Sequence, residues 1–277
     1  MKKPCLLDGA MGTELMKAGV ELGPFSEEVN LLHPAAVQEI HRAYALAGSE
    51  LLYSCSFGAN ALKSRGRDVG AVIAAALENA LAVCASLAPE RKVEAALDVG
   101  MLGTLLEPYG ELSEERAREL YKEIFLAGAA AERIVLETYF DLNEALLALE
   151  TAKSIFPQKP VFVTMTFQQG GRTLTGVDVP QMARELQAAG ADAVGINCSL
   201  GPVEALPLAR QLRDCCSLPI ICKPNAGMPD PKTGAYPMGP AAFAEAMLPI
   251  VQLGADYVGG CCGTTPAHIR ELAKVIQ

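Results

Sequence analysis

Basic side chains are scarce. Lys and Arg number 23 against 32 Asp and Glu in 277 residues, giving a formal net charge of −9 and a sequence pI near 5.0. Nucleic acid and anionic membrane surfaces both demand clustered Lys and Arg, so neither is expected as a partner, and small molecules or other proteins are. Uninterrupted apolar runs are missing too. The N-terminus, Met1 to Asp8, carries two lysines and no sustained apolar region, which does not read as a signal peptide. The most apolar stretch, Ala71 to Ala88, is broken by Glu78 and Asn79 and is expected as a buried helix rather than a membrane span. A cytoplasmic protein is the expectation. Nothing resembles a flexible interdomain linker, and 51% hydrophobic side chains over 277 residues suffice for one large, well-buried domain covering residues 1–277.

Short runs rich in Val, Ile and Leu alternate with longer Ala-rich segments of helical period. The runs are Cys5 to Gly9, Glu50 to Phe57, Val93 to Val99, Arg133 to Thr138, Val161 to Phe167, Ala193 to Cys198, Pro219 to Pro224 and Tyr257 to Cys261. Helical segments are expected over Pro34–Ala47, Val69–Leu87, Ser113–Ala131, Leu142–Phe156, Val179–Ala189, Val203–Cys215, Pro240–Leu253 and Pro266–Ile276. Glu114 and Glu115 after Ser113, and Pro202, Pro240 and Pro266, suit helix starts. Eight strands alternating with eight helices predict an α/β fold, a (β/α)8 TIM barrel. Gly- and Pro-rich stretches at 19–24, 168–176 and 225–240 are then loops at the barrel mouth, the face where such barrels place their chemistry.

Cysteine is abundant, at nine. In a reducing compartment thiols with a chemical role bind metal or react more often than they form disulfides. Cys198 would end strand six, and Cys261 and Cys262 would end strand eight; alternate strands share an interior layer, so these thiols can converge. Zinc favours tetrahedral thiolate sulfur, and three protein ligands leave one corner for substrate. Adjacent strand residues point to opposite faces, but Gly259, Gly260 and Gly263 can relieve that constraint. The competing reading is that a buried cysteine is a small hydrophobe, which is the default for Cys5, Cys84, Cys215, Cys216 and Cys222. Of the three histidines, His33 and His41 fit capping or a solvated helix face, and His268 fits a surface position rather than a fourth ligand.

Asp8-Gly9-Ala10-Met11-Gly12-Thr13-Glu14, Gly195-Ile196-Asn197-Cys198, Pro224-Asn225-Ala226-Gly227 and Gly259-Gly260-Cys261-Cys262-Gly263-Thr264-Thr265-Pro266 together resemble the homocysteine S-methyltransferase family from Leu7 to the C-terminus. Met165-Thr166-Phe167 and Gly171-Arg172-Thr173-Leu174-Thr175-Gly176 are most similar to its branch formed by the homocysteine-binding domain of cobalamin-dependent methionine synthase. The resemblance implies a barrel in which Zn2+ on Cys198, Cys261 and Cys262 holds the thiolate of L-homocysteine. It also implies that Asp8 and Glu137 face the substrate ammonium group. Backbone N–H groups around Gly9, Ala10, Met11, Gly12 and Thr13 would suit its carboxylate, and Asn197 and Asn225 would contribute site-shaping hydrogen bonds.

The methyl donor implied is methylcobalamin or another methylcorrinoid on a separate corrinoid protein or cobalamin domain, since no folate- or cobalamin-binding feature is visible. S-methylmethionine as donor, a non-catalytic zinc- or homocysteine-binding subunit, and a different thiol or selenol acceptor are the alternatives. Three positions depart from the family pattern: Cys55 stands where Asn is more usual, Gly100-Met101-Leu102-Gly103 replaces a Gly-Pro pattern, and Lys223 stands where an acidic residue is expected.

Overall fold

The computed structural model describes residues 3–276; Met1, Lys2 and Gln277 lie outside it, including part of the N-terminal stretch considered above. Eight parallel strands form one sheet: β1 (Cys5–Leu6), β2 (Leu51–Tyr53), β3 (Glu94–Val99), β4 (Ile134–Tyr139), β5 (Val161–Met165), β6 (Ala193–Asn197), β7 (Ile220–Lys223) and β8 (Tyr257–Val258). Their order is β1-β8-β7-β6-β5-β4-β3-β2, and a parallel bridge from Leu7 to Leu51 brings β1 back to β2. The sheet is a nearly closed (β/α)8 barrel, as the alternation predicts. Among the described residues ten α-helices accompany it: α1 (Gly12–Lys17), α2 (Val29–Leu32), α3 (Pro34–Ala47), α4 (Val69–Leu87), α5 (Glu114–Ala127), α6 (Leu142–Ile155), α7 (Val179–Ala188), α8 (Pro202–Cys215), α9 (Pro240–Gln252) and α10 (Pro266–Val275).

Strand periodicity sorts the side chains. Leu7, Leu51, Ala96, Val135, Phe162, Ala193 and Ile221 pack together with Cys5 and Tyr257, one small cluster drawn from all eight strands that fills the lumen. The alternate residues join the larger layer between sheet and helices, where Leu52, Leu97, Leu136, Val163, Val194 and Cys222 meet the apolar helix faces. Moving two residues along a strand returns a side chain to the lumen one level higher. From Ala96, Val135, Ala193 and Ile221, that step leads to Asp98, Glu137, Gly195 and Lys223. The polar side chains of the site therefore stand on an apolar floor.

α4, apolar enough by length and composition to cross a membrane, is one of the barrel's covering helices. It buries Val72, Ile73, Ala76, Leu77, Ala80 and Val83, and its Asn79 exchanges hydrogen bonds with Gln38 and the Asn30 carbonyl. Helix starts behave as their residues dictate: Ser113 caps α5 by accepting from the Arg116 N–H at 3.2 Å.

Two histidine expectations are corrected. His268 is buried rather than superficial; its Nδ1 meets the Thr265 backbone N–H in a capping box, and Nε2 lies 2.9 Å from the Met238 carbonyl. His41 is fully buried, since helical spacing sets it on the same face as Val37 and Ala45, and neither ring nitrogen has a hydrogen-bond partner. His33 occupies the N-cap position of α3 without a side-chain cap. Cys215 is exposed, unlike the buried Cys216 and Cys222.

Burial pulls His41 down to about 4 from 6.5, with Asp8 pulling it up. The folded chain thus refuses a proton that the unfolded chain takes near 6.5. Stability is complete above that pH and is lost as pH falls toward 4. Between pH 7 and 5 the loss from this group is about 2 kcal/mol. His41→Leu should remove it, which urea unfolding at the two pH values measures.

Candidate active site and metal centre

The barrel mouth opens into a cavity of about 390 Å³ lined along one side by Asp8 to Thr13 and on the other by Tyr53, Asp98, Glu137, Lys223, Cys198, Cys261 and Cys262. Cys198 follows directly on β6, and the adjacent pair lies in the turn beyond β8. The three Sγ atoms lie within 4.8 Å of one another, and Cys198 Sγ is 3.7 Å from Cys262 Sγ. Sulfurs at two corners of a tetrahedron with metal–sulfur bonds of about 2.3 Å are about 3.8 Å apart, so the donor set fits zinc. The three thiols also share protons. Cys262 is held down to about 3 by hydrogen bonds from Cys198 and Cys261, assisted by the Tyr236 hydroxyl, while Cys261 is pushed up by the same contacts and by burial.

The backbone around these thiols is tied at every turn. The N–H groups of Cys198 and Cys261 donate to the carbonyls of Lys223 and Pro224 at 3.1 and 2.8 Å. Thr264 Oγ1 donates to the Cys261 carbonyl and accepts from the Ala10 N–H. The glycines act differently from expectation. Gly263 does take a left-handed φ of 78°, but Gly260 is needed for close approach, because a Cβ there would stand 2.5 Å from the Thr264 side chain. The unusual angles fall instead on non-glycine residues, Thr138, Cys198 and Ser199, with φ of 62°, 57° and 55°. Such angles cost energy and persist where the surroundings enforce them, commonly at functional sites.

Below the thiols lies a charged cluster that sequence reasoning recovered in part. Asp8, 3% exposed, places Oδ1 at 2.9 Å from Lys223 Nζ and accepts the Tyr53 N–H on Oδ2 at 2.7 Å. Lys223 Nζ also lies 3.9 Å from Glu137 Oε2 and 3.6 Å above the Tyr53 ring centre. Burial works to neutralise Lys223, but Asp8 and then Glu137 outweigh it and keep the amine charged. Glu137 is raised by burial, against the pull of Lys223. Asp98, a third buried carboxyl on this wall, was absent from the expected set.

Asn197 stands behind the cavity wall and reaches the Thr138 N–H and hydroxyl, Glu137 and, at 4.0 Å, Cys261 Sγ. Asn225 also stands behind it, buried, its N–H donating to the Leu200 carbonyl. The stretch Gly9 to Thr13 runs into α1, a six-residue helix that begins at Gly12 and whose start has no side-chain cap. The extra thiol Cys55 lines the cavity, with burial pushing it up to about 12. Leu102, in the loop after β3, donates its N–H to the buried Glu144.

An eight-stranded parallel barrel with three convergent thiols and a carboxylate cluster at its mouth defines the class: a (β/α)8 barrel protein whose pocket gathers donors that could hold a soft metal. More narrowly, the chain belongs to the homocysteine S-methyltransferase family of enzymes, whose family model matches residues 5–276. It is 32% identical to the methionine synthases of Mycobacterium leprae (strain TN) and Mycobacterium tuberculosis (strain ATCC 25618 / H37Rv), in each case over 97% of this chain and 24% of the relative. The chain thus spans about a quarter of the length of these curated relatives. Among solved structures, the oxidized form of the homocysteine methyltransferase MmuM from Escherichia coli superposes with a TM-score of 0.83 at 25% identity, covering 99% of this chain and 96% of that one. The metallated form of MmuM superposes at 0.82 with 23% identity, covering the same shares of the two chains, a likeness of fold.

Proposed function

We propose that this chain is a homocysteine-binding barrel domain that methylates the thiol of L-homocysteine to give L-methionine, taking the methyl group from a methylcorrinoid on a separate protein or domain. The observation that carries the reading is the meeting of Cys198, Cys261 and Cys262 at the open mouth of the cavity. These residues would hold zinc. A free thiol titrates near 8.5, so most homocysteine is a poor nucleophile at neutral pH, and zinc on thiolate donors supplies the Lewis acidity that keeps the acceptor sulfur deprotonated yet nucleophilic.

The rest of the acceptor is held by the chain itself. Its carboxylate goes to the N–H groups along Gly9, Met11, Gly12 and Thr13, next to the Ala10 N–H that Thr264 Oγ1 already accepts, and its ammonium to the acidic cluster containing Asp8 and Glu137. Asn197 reaches Glu137 and Cys261 with its amide, and the backbone on either side of Asn225 holds the cysteine loop, Pro224 accepting the Cys261 N–H and Ala226 donating to the Cys262 carbonyl. The donor approaches over the mouth, where α1 and the loops following β2 and β5 expose Met16, Phe57 and Leu174, an apolar rim suited to a protein partner. The free thiols of Cys198, Cys261 and Cys262 suit the reducing cytoplasm.

Donor screening of the zinc-loaded chain tests this reading. Methionine should form from homocysteine with methylcobalamin, free or protein-bound. Turnover with S-methylmethionine instead would replace the donor. Tight homocysteine binding with no turnover from any donor would make the chain a non-catalytic binding subunit.

A further inference from the structure

The cluster beneath the thiols is one cation short. Three carboxyl groups, Asp8, Asp98 and Glu137, face a single resident ammonium, Lys223. That ammonium is committed to one end: Nζ lies 2.9 Å from Asp8 Oδ1, whose other oxygen already accepts the Tyr53 N–H. A second ammonium on Asp8 would therefore sit against Lys223 and be repelled. At the opposite end Asp98 is 5% exposed, its Oδ1 has no hydrogen-bond partner, and its backbone is pinned by the hydroxyls of Ser54 and Ser56. Its carboxyl abuts Glu137, which Lys223 approaches no closer than 3.9 Å. Two acidic groups in contact with no cation between them share a proton, and burial followed by Glu137 pushes Asp98 well above the usual carboxylate range. An ammonium group replaces that proton with charge and with N–H donors.

We infer that Asp98 and Glu137 form the seat of the acceptor's ammonium group and that Lys223 is a resident cation that withdraws Asp8 from that seat. The inference rests on the homocysteine reading and changes its acceptor contacts: Asp98 selects the amine, and Asp8 positions Lys223 and Tyr53. When the amine arrives, the proton held between Asp98 and Glu137 leaves to solvent and both groups become carboxylates.

Calorimetric titration of the zinc-loaded chain with homocysteine and with 4-sulfanylbutanoate, which keeps the thiol and carboxylate but lacks the amine, tests this. Asp98→Asn should weaken homocysteine at least tenfold and leave 4-sulfanylbutanoate within about twofold of the unaltered chain. An equal effect on both ligands, or none on either, overturns the assignment. Should Asp98→Asn fail to fold, the unaltered chain still decides, through titrations in buffers of different ionisation enthalpy. Homocysteine should then release more protons than 4-sulfanylbutanoate, by up to one, and equal release overturns the seat. If the unaltered chain binds 4-sulfanylbutanoate as tightly as homocysteine, only the ammonium seat is lost. If it binds neither thiol, the homocysteine reading falls and this inference with it.

Discussion

Cys261→Ala and Cys198→Ser should each abolish metal retention and methyl transfer while the barrel stays folded. Losing a residue that merely orients a ligand already costs about 10- to 100-fold in metal affinity, and losing one of three direct sulfur donors costs more. A serine hydroxyl does not restore the site, because zinc takes the deprotonated ligand and thiolate is the soft donor it prefers. The fold should survive because both thiols are only partly buried and face the cavity, while the main-chain hydrogen bonds that place them, from the N–H groups of Cys198 and Cys261, do not involve the side chain. Cys215→Ser is the internal control: its thiol is exposed at the end of α8, where it meets only the Leu212 carbonyl at 3.7 Å, and it should retain full metal and full turnover. Zinc content per chain, with thermal unfolding in parallel, distinguishes the three; equal zinc in all of them would refute the ligand assignment.

The difference between Cys198 and Cys215 was legible in the sequence. Cys198 follows an apolar run of strand type and a glycine-framed pair follows the next-but-one such run, whereas Cys215 ends a helix whose last turn carries Arg213 and Asp214 and has no glycine frame. Strand positions could be read for the same reason, since each apolar run must be covered on both sides. Their lengths could not. β1 and β8 shorten to two residues each because the chain past Leu6 and Val258 leaves the ladder to build the loops of the site.

Helical spacing also held information that polarity obscured. His41 is four residues from both Val37 and Ala45, and His268 is four from Leu272, so a helical count placed both toward the core. What no count along one segment reveals is pairing across the barrel. Lys223 stood out as a departure from the family, yet its meaning depends on Asp8, Glu137 and Tyr53, which come from three other segments of the chain. Asp98 could have been found by stepping two residues on from an inward-facing alanine in β3. Thr138, Cys198 and Ser199 take backbone angles that their residue types do not announce.

Lys223→Met should destabilise the chain more than any other single change in this cluster. Lys223 is 3% exposed, so removing the amine leaves Asp8 buried without its counter-charge and Glu137 without its nearest cation. Breaking a buried pair by removing one partner costs about 3–5 kcal/mol, since the stranded charge has lost its hydration and gains nothing in return. In a chain of this size that lowers the melting temperature by roughly 10 °C. The defect should ease on acidification, because protonating the stranded carboxyls removes the unpaired charge, whereas the unaltered chain gains nothing from the same treatment. Asp8→Asn combined with Lys223→Met should recover most of the loss: the amide oxygen can still accept the Tyr53 N–H, and no charge is left stranded at that end. If the double variant is as unstable as the single one, the stability resides in the packing of the lysine stem over Tyr53 rather than in the ion pair.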